Sequence, residues 1–162
     1  MELLLIVFDS STLILLAKID LLQSVLSESK GIIPESVKNE VEHKETMDSM
    51  LITRQIEAGS LIVKNNPDKK KISKIRKDFP LGEGEVAAFI IANENNYILG
   101  TDDGLAIKVC KIFGIRFITA IHFLIDSGLG KDIILAKLDK LKYYGRYSAK
   151  IIEDAERRIM KG

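Results

Sequence analysis

The sequence predicts an α/β fold of three layers, in which helices cover both faces of a central parallel sheet of four to five strands and further helices follow. Three observations predict it. Short apolar segments of strand length alternate with longer segments of helical periodicity up to residue 118. Such strands, separated by helices, are typical of a parallel sheet that is buried on both faces. The length of 162 residues suits a single domain.

The first half of the chain is predicted to carry three of the strands. Leu13, Leu16 and Ala17 repeat at the spacing of one helix face. Pro34 suits the start of a helix, because its missing N–H would have no partner there in any case. The predicted elements are a strand at 3–8, helices at 10–18 and around 21–25, a strand at 31–33, helices from 34 and at 46–58, and a strand at 61–63.

The second half is predicted to add two strands and a helical C-terminus. Residues 64–79 are polar and rich in lysine, and we expect a loop with a short helix there. Gly114 ends one of the later helices. The predicted elements are helices at 84–95 and 102–113, strands at 97–100 and 115–118, and helices near 120–127, 131–143 and 148–160.

Composition excludes several classes of protein. Apolar residues make up 46% and charged residues 29%, which is an ordinary globular balance. The net charge of +1 gives no strong general attraction to nucleic acid. The single cysteine, Cys110, excludes a disulfide framework and a cysteine-only zinc site, and its apolar surroundings predict a core position. Residues 3–8 are too short to span a bilayer and lack a basic leader, so we expect a cytoplasmic protein without membrane contact.

Acidic residues follow the predicted strands at the edge where parallel α/β sheets bind ligands. Asp9 follows the first strand directly, and Asp102 and Asp103 follow the strand at 97–100. Glu40 borders the buried stripe of its helix, and Glu85 lies in the first turn of another helix. We therefore expect four segments to deliver carboxylates to one place.

Clustered carboxylates without histidine or cysteine favour a hard divalent cation. Carboxylates that crowd together raise one another's pKa unless a cation lies among them. Oxygen ligands favour Mg²⁺ or Mn²⁺ over zinc. His43 and His122 have no partner at the spacing of metal ligands, so we expect both to be structural. Bound metal would let an acidic cleft bind phosphate and activate water for phosphodiester displacement.

Each acid also has a simpler interpretation. Asp9 and Asp102 could cap the helices that follow them. Glu40 could be an exposed helix residue, and Glu83 and Glu85 could favour a helix N-terminus through its dipole. Only the joint pattern favours a metal site.

Four segments, in order, resemble the motifs of the PIN-domain family. Residues 8–12, FDSST, resemble the family's opening motif, an apolar strand followed by Asp and a small hydroxyl residue. Residues 34–41 resemble the second motif, 81–85 the third and 99–106 the fourth. The resemblance covers residues 3–118. The helices that follow resemble a subgroup with a helical C-terminal extension, close to the VapC-type toxins.

The resemblance implies a single PIN-like domain over residues 1–162, with a core of about 1–125 and a helical extension of about 126–162. It also implies a Mg²⁺- or Mn²⁺-dependent ribonuclease, often the toxin of a toxin–antitoxin pair, with RNA as substrate, an antitoxin protein as partner and a homodimeric assembly. The metal-binding and catalytic acids carried over from the family are Asp9, Glu40, Glu85 and one or both of Asp102 and Asp103.

The resemblance also assigns two supporting positions. Ser11 would support a metal-bound water, and Glu83 is the alternative to Glu85 in the third motif. Glu85 is preferred, because its distance to Ala92 matches the family's spacing. Many toxins carry Asp where this motif carries Glu.

One basic segment could bind RNA. Its residues could grip a phosphate backbone or form a solvated surface, and the second interpretation is favoured. The candidate RNA-binding residues are Lys69, Lys70, Lys71, Lys74, Arg76 and Lys77.

Two other functions stay open. A catalytically weak PIN-like module could bind RNA or a protein partner. A phosphatase-like α/β fold would need a second acid two residues after Asp9, where Ser11 stands.

Overall fold

The computed structural model describes residues 3–162. Five parallel strands form one sheet in the order β3-β2-β1-β4-β5. The predicted α/β architecture and its five strands are confirmed. The strands are β1 (Leu4–Phe8), β2 (Ser29–Pro34), β3 (Leu61–Lys64), β4 (Ile98–Gly100) and β5 (Phe117–Ile118).

Helices connect all the strands and extend beyond the last one. They are α1 (Ser10–Lys18), α2 (Leu22–Glu28), α3 (Glu35–Glu42), α4 (Met47–Glu57), α5 (Lys69–Asp78), α6 (Glu83–Asn95), α7 (Gly104–Phe113), α8 (Ala120–Ile125), α9 (Lys131–Tyr144) and α10 (Ala149–Lys161).

Three local predictions need correction. The lysine-rich segment predicted as a loop with a short helix is a ten-residue helix, α5, because Ile72 and Ile75 anchor it in the core against α6. Pro34 is the last residue of β2 and precedes α3 as its N-cap, so it is not the first helical residue. The fourth-motif helix begins at Gly104, since Asp103 is its N-cap.

The sheet separates two apolar cores, which gives the three layers. Ile6 and Phe8 of β1 contribute to one core, and Val7 between them contributes to the other. This alternation follows from the period of two in a strand. The first core is filled by α1, α2, α3, α4 and the C-terminal helices, and the second by α5, α6 and α7.

The two last helices pack onto the first core. Leu138 and Leu141 of α9 and Ile152 and Ile159 of α10 are buried in the same apolar cluster as α1. The helices α9 and α10, with the turn between them, form the C-terminal hairpin, which packs beside α1 next to the carboxyl ends of the strands. No helix within residues 3–162 is long and apolar enough to cross a membrane.

A glycine allows β1 and β4 to bring their acids together. A Cβ on Gly100 would lie 2.6 Å from the Phe8 ring. The backbone N–H of Asp9 donates to the carbonyl oxygen of Gly100 at 3.1 Å. The residues that follow β1 and β4 thus start from adjacent points on the sheet edge.

Candidate functional site

Asp9 is the centre of the acidic cluster and is only 1% exposed. Its Oδ1 accepts hydrogen bonds from the backbone N–H of Ser11 at 3.0 Å and from the Ser11 hydroxyl at 2.6 Å. Its Oδ2 accepts a hydrogen bond from the Thr101 hydroxyl. Burial raises the pKa of Asp9 to about 6 despite these bonds, and Asp102 raises it further by repulsion. Asp9 does cap α1, as its simpler interpretation has it, and it also faces the other acids.

Glu85 supplies a buried oxygen atom that no other group satisfies. Its Oε1 accepts a hydrogen bond from the backbone N–H of Gly82 at 3.1 Å, as the N-terminus of α6 requires. Its Oε2 is buried and has no hydrogen-bond partner among residues 3–162. Burial raises the pKa of Glu85 to about 7, and repulsion from Asp103 and Asp9 adds to the shift. Buried polar atoms in proteins are almost always paired. Since the Asp103 carboxyl group is within hydrogen-bond reach of Glu85, either a proton shared with Asp103 or a cation would satisfy this oxygen.

Asp102 and Asp103 point to different surroundings. Asp102 Oδ1 accepts hydrogen bonds from the Thr12 hydroxyl at 2.5 Å and from the N–H of Ala120 at 3.0 Å, and its Oδ2 accepts one from the Tyr147 hydroxyl. These donors occupy both carboxylate oxygens. Burial raises the pKa of Asp102.

Asp103 faces Glu85. Its Oδ2 caps α7 by accepting a hydrogen bond from the N–H of Ala106 at 2.9 Å. Its side chain also lies within hydrogen-bond reach of the Glu85 carboxyl group, and the two can share a hydrogen bond only when one of them is protonated. The charge of Asp103 contributes to the raised pKa of Glu85.

Glu40 lies at the exposed rim of the cluster. The Ser10 hydroxyl donates to its Oε1 at 3.0 Å, and the Lys44 ammonium lies 4.0 Å from the same oxygen. A Cβ on Gly84 would lie 3.2 Å from Glu40 Oε2, so this oxygen rests against the first turn of α6. Glycine at position 84 therefore lets α3 carry Glu40 up to the helix of Glu85.

The expected repulsion between carboxylates is present, but it is not the main cause of the pKa shifts. Desolvation by burial is the largest cause for Asp9, Glu85 and Asp102 alike. Removal from water disfavours the charged form of a carboxyl group. The cluster thus concentrates negative charge where water stabilises it poorly.

The acids are neighbours, but they do not form a finished coordination sphere. Within residues 3–162, no three His, Cys, Asp or Glu side chains are close enough, as they stand, to hold a metal ion. The atoms that could still bind a cation are all carboxylate oxygens, which suits Mg²⁺ or Mn²⁺. These are Asp9 Oδ2, Glu40 Oε2, Glu85 Oε2 and Asp103 Oδ1.

Four residues of the site gave no separate signal in the sequence. Thr12 and Thr101 donate to Asp102 and Asp9, Ser10 donates to Glu40, and Tyr147 donates to Asp102. Thr101 could have been found, since it directly precedes the aspartates in the fourth motif. Tyr147 could not, because it lies 45 residues away in the turn between α9 and α10.

The supporting residues occupy different positions. The Ser11 hydroxyl donates to Asp9 and accepts from the N–H of Asp102 at 2.9 Å, so it links the two acids. Glu83 is exposed, whereas Glu85 is partly buried. His122 caps α8 by accepting a hydrogen bond from the N–H of Thr119 at 3.1 Å, which is a structural role.

The basic segment lies along α5. Lys71 pairs with Glu94 at 2.6 Å, and Arg76 donates to the carbonyl oxygen of Leu81 at 3.1 Å. Glu94 is near the far end of α6, nine residues beyond Glu85, or roughly 13 Å along the helix axis. The remaining candidates, Lys69, Lys70, Lys74 and Lys77, line a shallow surface hollow away from the acids.

Two hollows flank the acidic cluster. One, of about 750 Å³, lies between α1, α7, α8 and α10 and is lined in part by Ser11, Asp102 and Asp103. The other, of about 350 Å³, lies between α3 and the start of α6 and is lined in part by Glu40 and Glu85.

A family model and a solved structure are similar to this chain. The family model described as DUF3368: PIN domain matches residues 5–159. A solved structure of a PilT N-terminus domain protein from the hyperthermophilic archaeon Sulfolobus solfataricus P2 is similar, with 18% identity and a TM-score of 0.45, covering 90% of this chain and 100% of that one. No curated protein matches the sequence.

Proposed function

Because this chain belongs to the DUF3368 family of PIN domains, and PIN domains are generally nucleases, we propose that it is a Mg²⁺- or Mn²⁺-dependent endoribonuclease. The observation that carries the proposal is the buried, unpartnered Oε2 of Glu85, which lies beside Asp9 and Asp103. An unsatisfied carboxylate oxygen in an acidic cluster is stabilised by a cation.

The available oxygen atoms fit a hard divalent ion. Asp9, Glu85 and Asp103 would hold it, with Glu40 at the rim. Glu40, Glu85 and Asp103 each use one oxygen in a hydrogen bond that fixes the side chain's orientation, which leaves capacity for a cation at the other oxygen. Asp9 uses both oxygens, but its Oδ2 accepts only from the Thr101 hydroxyl and keeps one lone pair for a cation. Small side-chain rotations would be needed, since like-charged carboxylates otherwise keep apart.

We assign Asp103 rather than Asp102 to the metal. Four hydrogen-bond contacts fill the carboxylate oxygens of Asp102, from Thr12, Tyr147 and the bifurcated N–H of Ala120. Each carboxylate oxygen has about two lone-pair positions, and both oxygens of Asp102 accept two contacts. Asp9 also receives four contacts, but three are on Oδ1, so its Oδ2 keeps capacity for a cation. Its role is to anchor the C-terminal hairpin beside the cluster.

The chain's own residues prepare the site for a phosphodiester. A divalent ion, when bound, would supply the positive charge that lets an acidic site accept a phosphate group and that stabilises charge on the leaving oxygen. Ser11 and Thr101 hold Asp9 in one orientation. The raised pKa values of Asp9 and Glu85 mean that protons compete with the ion, so metal binding should be tighter at higher pH.

Metal-dependent cleavage tests the proposal. Wild type should cleave single-stranded RNA in Mn²⁺ and lose this activity in EDTA, and Asp9→Asn and Asp103→Asn should reduce cleavage at least 100-fold. Asp139→Asn, at an exposed position of α9, is the matched control and should leave the rate unchanged. Equal cleavage by wild type and Asp9→Asn would reject the enzyme and leave an RNA- or protein-binding module.

The proposal extends to a toxin role and a homodimer. An antitoxin protein would then cover the acidic cluster and block its access to RNA. Expression of the chain alone should arrest growth, and co-expression with the adjacent reading frame should restore it and yield a complex. Absence of both rescue and co-purification would reject the toxin role without affecting the nuclease.

A further inference from the structure

The larger hollow beside the acids, which we call the hairpin cleft, has the composition of a nucleic-acid site. It has a volume of about 750 Å³ and lies between α1, α7, α8 and the C-terminal hairpin. Apolar and aromatic side chains form its floor. Among them are Ile14, Ile107, Phe117, Ile125 and Tyr144.

Three cations in this cleft have no acidic partner within residues 3–162. They are Lys111 of α7, Arg146 of the hairpin turn and Arg158 of α10, and all three are exposed. The nearby Asp154 pairs with Arg157 at 2.9 Å instead. The cleft therefore offers free positive charge above an apolar floor.

A fourth cation has a different role. Lys18 lies 3.7 Å from Asp48 and 4.7 Å from the centre of the Tyr144 ring. These contacts hold Tyr144, one of the side chains of the apolar floor, against α1. Lys18 is therefore not counted among the free cations.

The cleft opens directly onto the acidic cluster. Asp103 and Ser11 line the cleft, and Asp103 also faces Glu85 on the other side. If a phosphodiester is cut at Asp9, Glu85 and Asp103, the adjoining nucleotides must occupy the space next to Asp103. That space is the hairpin cleft.

We propose that the hairpin cleft binds the RNA strand on one side of the scissile phosphodiester, with Lys111, Arg146 and Arg158 on its phosphates and an unstacked base on the apolar floor. This inference rests on the proposed ribonuclease function. Single-stranded RNA is bound in this manner, by cations that follow the backbone and apolar or aromatic surfaces that receive the bases.

The hairpin cleft is a better RNA site than the lysines of α5. Lys71 is already paired with Glu94, and the hollow of Lys69, Lys70, Lys74 and Lys77 is separate from the acids. An acidic peptide could also bind free cations, but it would not need a position next to Asp103. Lys69 and Lys70 therefore supply a matched control of equal charge.

The test compares Arg146→Ala/Arg158→Ala with Lys69→Ala/Lys70→Ala. The affinity for a labelled single-stranded RNA is measured by fluorescence anisotropy in the presence of Ca²⁺, at salt concentrations from 0.1 M to 1 M. Cleavage is measured in Mn²⁺. Each phosphate contact on a single strand contributes about 0.7 to the slope of log affinity against log salt concentration. Loss of two contacts should therefore reduce this slope by about 1.4 and weaken binding at 0.1 M salt by roughly 25-fold. In the cleavage assay, the cleft variant should show a higher KM with little change in kcat. The α5 variant should bind RNA as wild type does.

The outcomes separate this inference from the proposed function. A wild type that does not cleave in Mn²⁺ rejects the nuclease, while the anisotropy still tests the cleft. If wild type cleaves but the cleft variant keeps its RNA affinity and KM, the cleft proposal is overturned. The same holds if the α5 variant loses more affinity than the cleft variant, or if an acidic peptide but not RNA depends on Arg146 and Arg158. Circular dichroism should show unchanged folding for both variants, since all four side chains are exposed.

Discussion

Replacement of Asp9 by asparagine should stabilise the metal-free protein at neutral pH. Burial raises the pKa of Asp9 from 3.8 to about 6, so ionisation of this group opposes folding. Protonated aspartic acid and asparagine are both neutral and nearly equal in shape, so Asp9→Asn removes this cost. At 1.36 kcal/mol for each pH unit, the ionised side chain costs about 3 kcal/mol.

The raised pKa of Asp9 determines how the stability of wild type changes with pH. Between pH 3.8 and about 6, the folded state binds more protons at Asp9 than the unfolded state does, so the stability of wild type falls as pH rises through this window. Below pH 3.8 the group is protonated in both states and contributes no pH dependence. The advantage of Asp9→Asn over wild type should therefore grow from pH 4 to pH 6 and stay constant above it.

Urea denaturation in EDTA, followed by far-ultraviolet circular dichroism between pH 4 and pH 8, measures this difference. A stabilisation of about 3 kcal/mol corresponds to a rise in Tm of roughly 6–12 °C for a domain of this size. Asp139→Asn, an exposed acid on α9, is the control and should show no pH-dependent difference. If Asp9→Asn is less stable than wild type by the same amount at pH 5 and pH 8, the reasoning about a strained buried charge is refuted.

Three further predictions concern the surrounding structure. Tyr147→Phe removes a hydrogen bond to the Asp102 carboxylate and should lower stability by roughly 1.5–3 kcal/mol in urea denaturation, whereas an unchanged midpoint would contradict the anchoring role. Gly100→Ala places a Cβ 2.6 Å from the Phe8 ring and should lower stability by about 1–3 kcal/mol, measured as a shift in Tm; a neutral effect would show that the ring can move. Cys110 is buried with its pKa raised to about 11, so a thiol reagent should label it only after unfolding, and rapid labelling of the native protein would place it at the surface.

The sequence was sufficient for the sheet because each strand is a local apolar signal. Residues 3–8 and 97–100 could be placed as strands and their following acids as neighbours, since the edge of a parallel sheet is fixed by topology. The length of α5 was underestimated, because only two apolar residues, Ile72 and Ile75, pack it on the core and they lie among many lysines. Pro34 was placed one residue too far into the helix, because proline suits a helix N-terminus but here ends β2 and is the N-cap of α3.

The finer arrangement of the site depends on contacts that no local pattern encodes. Adjacent Asp102 and Asp103 could not be told apart in the sequence, and their difference comes from Tyr147, which reaches Asp102 from a distant turn. The free oxygen of Glu85 likewise results from how α6 packs on the sheet. The roles of these acids as metal ligands stay predictions.

Calorimetric titration with Mn²⁺ at pH 8 tests the central claim most directly. Wild type should show saturable binding, and Asp9→Asn, Glu85→Gln and Asp103→Asn should each abolish it or weaken it by at least tenfold. Glu83→Gln, which changes an exposed neighbour of Glu85, should bind as wild type. Equal binding heats for wild type and Asp9→Asn would contradict the account, because the buried acids would then not hold the metal.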